Sequence, residues 1–137
     1  MAGRSGADNV QFTPDTWAIK TSVPFIGGRD QRYFQCGTSI NNKGYIIAGS
    51  NGSTNWRNAD EYSLNEDVWV SKTDMPAPTR ANSACTTVLN KGYVFSGNNG
   101  ASRYSDNDEY YPDSWTAKTN VPTIVVAATS TTILNKA

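Results

Sequence analysis

The 137-residue sequence contains no histidine. That removes the side chain that most often serves as acid and base near neutral pH and as a zinc or copper ligand. His-dependent catalysis and His-ligated metal sites are excluded. Cysteine is scarce, with only Cys36 and Cys85, far short of a disulfide framework and silent on compartment. Neither sign of charge is in excess, with 12 basic and 12 acidic residues, so neither a nucleic acid nor an anionic membrane surface is expected as partner. No run approaches the ~18 consecutive apolar residues that suggest a membrane span. Residues 1–9 hold no apolar stretch of signal-peptide length, so the expectation is a chain with neither export signal nor membrane span. What the sequence does have is seven Tyr, four Trp and four Phe set among abundant Asn, Thr, Ser and Gly. Short aromatic-rich segments between polar turns favour an all-β fold.

The chain repeats itself. Asp15-Thr-Trp17-Ala-Ile-Lys20-Thr21-Ser-Val-Pro24 returns as Asp67-Val-Trp69-Val-Ser-Lys72-Thr73-Asp-Met-Pro76, and again as Asp113-Ser-Trp115-Thr-Ala-Lys118-Thr119-Asn-Val-Pro122. Lys43-Gly44-Tyr45-Ile-Ile-Ala-Gly49 returns 48 residues later as Lys91-Gly92-Tyr93-Val-Phe-Ser-Gly97, and Asp60-Glu61-Tyr62 returns as Asp108-Glu109-Tyr110. Thr86-Thr87-Val88-Leu89-Asn90-Lys91 matches Thr131-Thr132-Ile133-Leu134-Asn135-Lys136. Interleaved matches in one order identify a repeat architecture.

Each period reads as four short strands, a to d. In the second copy the sequence predicts strand a at about 83–89, a turn through Asn90-Lys91-Gly92, strand b at 93–96, strand c at about 108–111 and strand d at 114–118, the last entered through Pro112-Asp113. No window carries the apolar spacing of an amphipathic helix, so helix content near zero is expected. Tyr45-Ile46-Ile47-Ala48 and Tyr93-Val94-Phe95 are continuous apolar runs, and a strand apolar on both faces needs cover on both sides. Face-to-face stacking of small sheets supplies that cover. Trp17, Trp69, Trp115, Tyr62 and Tyr110 then read as packing residues between the sheets.

These features resemble kelch-type β-propeller repeats: a hydrophobic strand a, an apolar run closing in glycine, Tyr and Trp several residues apart, and a Met75-Pro76-Ala-Pro78-Thr-Arg80 link between blades. The resemblance spans about Asp8 to Ala137, and the Trp-x-x-Lys-Thr-x-Met-Pro style is similar to repeats of bacterial and bacteriophage surface proteins. Where that family carries a double glycine, this chain has Ala48-Gly49 and Ser96-Gly97. The aromatic-to-Trp spacing is seven for Tyr62–Trp69 but five for Tyr110–Trp115 and Phe12–Trp17. The resemblance implies four-stranded blades, in about 2.9 repeats of 48 residues. The divisions expected are an N-terminal arm at 1–9, a partial blade of strands c and d at 10–24, blades at 25–73 and 74–119, and a partial blade holding strand a at 120–137.

Some propellers of this kind carry copper oxidase chemistry through histidine and tyrosine together, which a histidine-free chain cannot reproduce. The carboxylate pairs Asp60-Glu61 and Asp108-Glu109 suit acid–base work or calcium binding only if they converge, and adjacent strand residues point to opposite faces. Asp106-Asn107-Asp108 lacks the spaced ligands and terminal Glu of a calcium loop. No catalytic residue, metal or cofactor is expected. Cys36 and Cys85 each stand four residues before the apolar end of strand a (Ile40, Leu89). Matching positions in successive blades are normally too far apart for the ~5.5–6 Å Cα separation of a bridge, so both are expected as small buried residues. Asn51-Gly52-Ser53 has the form of a glycosylation acceptor but, without a signal peptide, carries little weight.

The binding candidates are residues that break the repeat inside loops. Trp56 and Arg57, and Arg103 and Tyr104, set an aromatic beside an arginine in the two b–c loops; Arg29 and Arg32 lie in a link about four residues longer than its counterpart. Aromatic–arginine pairs are enriched at partner contacts, and loops on rigid scaffolds carry function. A solvated loop with its aromatic folded onto its own blade is the alternative, and both readings stand at this point. A closed propeller needs about 4–8 blades, so a partial propeller completed by oligomerisation is expected. Residues 120–137 of one chain would join residues 10–24 of another in a six-bladed homodimer, although residues 1–9 hold nothing like Gly-Tyr-Val-Phe to supply strand b. The partner expected is the chain itself, dimer favoured, or another repeat-containing chain. The function expected is a non-enzymatic structural or interaction module of a virion or cell surface, with a cytoplasmic setting left open. The alternative is a lectin-like module binding a glycan or a surface protein through Trp56, Arg57, Arg103 and Tyr104.

Overall fold

The computed structural model describes residues 9–13, 16–24 and 32–124, the first five as backbone alone. Residues 1–8 of the expected arm at 1–9, the link segment containing Arg29 and residues 125–137 of the expected partial blade at 120–137 lie outside the described residues. Those described form ten strands and no helix. A hairpin of β1 (Asn9–Thr13) and β2 (Thr16–Lys20) precedes two four-stranded antiparallel sheets. The first sheet is β3 (Cys36–Ile40), β4 (Lys43–Ile47), β5 (Ala59–Ser63) and β6 (Val68–Lys72); the second is β7 (Ala84–Val88), β8 (Lys91–Phe95), β9 (Asn107–Tyr111) and β10 (Ser114–Lys118). In both sheets spatial order follows chain order.

Turn chemistry explains why the strands fall where they do. Strands β3 and β4 are joined by Asn41-Asn42 at φ 51° and 61°, and β7 and β8 by Leu89-Asn90 at φ 47° and 60°. Two left-handed residues make the two-residue turn whose twist suits a hairpin. The second turn therefore sits at Leu89-Asn90 rather than Asn90-Lys91-Gly92, and Lys91 already opens β8. Tyr62 pairs with Trp69, Tyr110 with Trp115 and Phe12 with Trp17 in register. The longer Tyr62–Trp69 spacing is thus absorbed by two extra turn residues, not by a shift of strands. After β4 and β8 the chain passes through Ala48-Gly49 (φ 60° and 113°) and Ser96-Gly97 (φ 59° and 106°). A Cβ on Gly49 would stand 2.8 Å from the Tyr33 carbonyl, and one on Gly97 2.8 Å from that of Ala81, so the second position of each pair admits only glycine.

The core lies between the two sheets. Cys36, Ile40, Tyr45, Ile47, Ala59, Met75, Cys85, Val94 and Tyr110 are buried there, with Trp115 against them. Alternation places Cys36, Thr38 and Ile40 on one face of β3, and that face meets the second sheet. The Thr38 and Thr87 hydroxyls lie 2.6 Å apart, the Ser39 amide donates to Thr87 Oγ1 at 3.2 Å, and the Thr87 hydroxyl donates to the Ser39 carbonyl at 2.8 Å. Tyr45 packs edge-on against Tyr110, with ring centroids 5.4 Å apart. At the outer edge the Trp69 indole donates to the Thr21 carbonyl at 3.0 Å and the Trp115 indole to the Thr73 carbonyl at 2.9 Å. One contact therefore recurs between hairpin and first sheet and between first sheet and second. Trp17 departs from the packing expected of it and is 68% exposed, because its hairpin has only two strands and no described sheet lies beyond it.

The cysteines correct the sequence reading. Cys36 and Cys85 are joined by a disulfide with Cα atoms 5.5 Å apart. Strand a runs over Cys36–Ile40 and Ala84–Val88, so the residue matching Cys36 is Ala84 and the residue matching Cys85 is Gly37. The cysteines are one position out of phase and point to opposite faces of their own strands. Stacking brings those two faces together.

Candidate interaction surfaces

The carboxylate pairs diverge as alternation requires, and each member is held in an ion pair. Asp60 Oδ2 receives Arg32 Nη1 at 2.6 Å, and Asp108 Oδ2 receives Arg80 Nη2 at 2.5 Å. Arg32 also donates to the carbonyls of Ala48 at 2.7 Å and Asn58 at 3.0 Å. Arg80 is wholly buried, and besides Asp108 it faces Asp106, 3.2 Å from Nη1. Burial lowers the Arg32 pKa against the pull of Asp60. Burial also raises that of Asp108 against the pull of Arg80.

Glu61 and Glu109 occupy the opposite face. Glu61 accepts from Lys43 and from the Tyr45 hydroxyl, both at 2.6 Å, with Lys72 at 3.5 Å. Glu109 accepts from Lys91 at 3.0 Å and Tyr93 at 2.7 Å, with Lys118 at 3.2 Å. Burial opposes ionisation of Glu61, but Lys43, Tyr45 and Lys72 outweigh it and hold the carboxyl below its usual range. The Tyr93 hydrogen bond, with Lys91 and Lys118, brings Glu109 down to about 2 against the cost of burial. The same bond pushes Tyr93 up to about 12. These carboxylates are permanently ionised structural acceptors near neutral pH.

The loop candidates separate. Arg32 lies against the first sheet with its guanidinium engaged by Asp60 and three backbone carbonyls, while Arg29 lies outside the described residues. Trp56 and Tyr104 occupy equivalent positions, half-buried, their amides donating to the carbonyls of Gly49 and Gly97 at 2.9 Å each. Arg57 is half-buried and its carbonyl accepts from the Met75 amide at 2.8 Å, whereas Arg103 is exposed. The two aromatic–arginine pairs are out of phase, since Arg57 matches Ser105 and Arg103 matches Asn55.

Two concavities are formed by described residues. A cleft of about 190 Å³ lies between the equivalent loops, lined by Phe34, Ser50, Asn55, Asn82, Asn98 and Asn99. Phe34 is 57% exposed at φ 56°, where the second repeat places Asn82 at φ 55°. Asparagine tolerates that backbone far better than a bulky residue does. A larger groove of about 570 Å³ lies at the β3–β4 turn and reaches the second sheet, lined among others by Ser39, Asn42, Gly44, Tyr62, Thr87 and Asn90. Ser39, Gly44 and Tyr62 are on the face of the first sheet turned away from the second, by the register Ser39–Gly44–Tyr62.

Sequence reasoning missed the Arg–Asp pairs, the disulfide and the exposed Phe34. The ion pairs had a signal: Arg32 and Arg80 are 48 apart, as are Asp60 and Asp108. Comparison with protein-family models finds no match, and comparison with curated proteins finds none. No helix among the described residues is long and apolar enough to cross a membrane.

Proposed function

We propose that this chain is a non-enzymatic structural or interaction module built of kelch-like propeller blades and acting by assembly, as a component of a virion or cell surface. The observation that carries the reading is the periodic join between stacked units. Trp69 to Thr21 and Trp115 to Thr73 are the same bond one repeat apart, so each sheet is built to receive a neighbour of its own kind. The disulfide supports an oxidising setting, where such bonds persist. Static light scattering on the purified chain tests assembly: a mass at or above two chains is expected, and a monodisperse monomer at every concentration overturns the reading.

A second reading is a lectin-like module. It is favoured by Phe34, held exposed in a strained conformation beside a cleft of amides and hydroxyls. Among the described loop residues first considered, Arg103 is the exposed one. A glycan array answers it, with a hit abolished by Phe34→Ala expected and a blank array contradicting it.

A further inference from the structure

Each join in the stack has two halves. One is the start of the last strand of a unit (β2, β6 or β10), where a tryptophan stands; the other is the Lys-Thr end of the last strand in the unit before it. Between the hairpin and the first sheet, Trp69 donates to the Thr21 carbonyl at 3.0 Å and Asp67 Oδ1 accepts from the Thr21 amide at 2.9 Å. Between the two sheets, Trp115 donates to the Thr73 carbonyl at 2.9 Å, the Thr73 hydroxyl donates to the Asp113 carbonyl at 3.2 Å, and Lys72 Nζ stands 3.5 Å from Asp113 Oδ2.

The two ends of the stack each present one of these halves. Trp17 holds the second position of β2 as Trp69 does of β6, and it is 68% exposed where Trp69 and Trp115 are half-buried. Ile19, two residues on and so on the same face, is 67% exposed. At the other end Lys118 and Thr119 are exposed, and the Lys118 side chain is 37% accessible against 17% for Lys72, which the second sheet covers. An aromatic contact inside its own unit does not use up an indole: the Trp69 and Trp115 rings lie 5.0 and 4.7 Å from those of Tyr62 and Tyr110 and donate outward as well. The Thr119 carbonyl accepts from Asn107 Nδ2 at 3.2 Å and, with two lone pairs, can take a second donor. The two halves cannot meet within one chain, because the whole first sheet stands between the hairpin and the second sheet, two stacking steps of about 10 Å each. We infer that they meet between copies, the Trp17 indole of one chain seated on the Lys118-Thr119 end of a second and donating to its Thr119 carbonyl. Such a contact is head-to-tail, so it either closes into a ring or continues as a filament.

The inference rests on the assembly reading above and is tested separately from it. In the native chain, hydroxyl-radical oxidation of Trp17 and acetylation of Lys118, each read by peptide mass spectrometry, are expected to fall together as protein concentration rises through the assembly transition. Trp17→Ala is expected to weaken assembly by about tenfold or more in sedimentation, as loss of a tryptophan at the centre of a contact does, with the sheet signal in circular dichroism unchanged because the side chain is largely exposed. Assembly in which Trp17 or Lys118 stays fully reactive, or undiminished assembly of Trp17→Ala, overturns the inference while leaving the assembly reading in place. A monomer at every concentration overturns both.

Discussion

The first and second sheets are close copies, with the same strand order, the same Lys-Gly-Tyr opening of the second strand and the same Asp-Glu-Tyr third strand, yet their burial runs in opposite senses. On the face toward the second sheet, Ile40, Tyr45 and Ile47 of the first sheet are buried, whereas Val88, Tyr93 and Phe95, their equivalents, are half-buried. On the other face the order reverses: Tyr110 is wholly buried and Tyr62 is not. The difference does not come from the pairing of the strands, which match in length and register. It comes from what stands beside them, as expected of a stack in which each unit is stabilised by its neighbours.

The buried ion pairs give the largest expected effect. Arg80→Met leaves Asp108 charged and unpaired in the covered gap between sheets and should cost about 3–5 kcal/mol in urea unfolding. Arg32→Met should cost less, because the Arg32 side chain is 8% exposed against 0% for Arg80 and water can replace part of what it loses. Equal losses would break the contrast. Replacing both cysteines by alanine should cost about 2–4 kcal/mol. A loss well below that range would mean that the threonine and tyrosine contacts alone hold the inner edges together.

Acid separates the two faces next. Glu61 and Glu109 have folded-state pKa values below the ordinary 4.5, Glu109 at about 2. The stability they contribute is present above about pH 4.5 and is lost as pH falls toward 2; Asp108, raised by burial, works in the opposite sense. A Glu109→Gln variant should therefore lose less melting temperature than wild type between pH 5 and about pH 2, and parallel curves would contradict the assignment. The smallest effect concerns the two glycines. Gly44→Ala should stabilise an isolated chain by about 0.5–1 kcal/mol, the cost of glycine in a strand, while Gly92→Ala should destabilise it because Thr38 and Ile40 must move. The same sign for both would remove the contrast between the two sheets at this position.

Much of the fold was legible because the repeat is explicit. Strand β10 falls on the expected residues, and β7 and β9 within one residue; of the apolar runs, Tyr45, Ile47 and Val94 are buried between the two sheets, whereas Ile46, Tyr93 and Phe95 on the other faces are half-buried. The disulfide was not legible, because counting back from Ile40 and Leu89 put the cysteines in phase, whereas Leu89 belongs to the turn and its strand ends at Val88. One residue of register is one change of face, and that change turns two separate thiols into a bridge. Arg32 ends the long link that breaks the repeat, so its place in the sequence suggests a loop arginine. Its 48-residue relation to Arg80 placed it on a strand carboxylate instead. Phe34 gave no sequence signal, since only the backbone shows that it holds a position suited to asparagine.

Amide hydrogen exchange as a function of protein concentration probes the difference between the sheets most directly. If assembly covers the face of the first sheet turned away from the second, the segment carrying Cys36–Ile47 gains protection as concentration rises until it approaches that of Ala84–Phe95, which already packs against the first sheet within the chain. Protection in Cys36–Ile47 that stays the same from dilute to concentrated solution would contradict it.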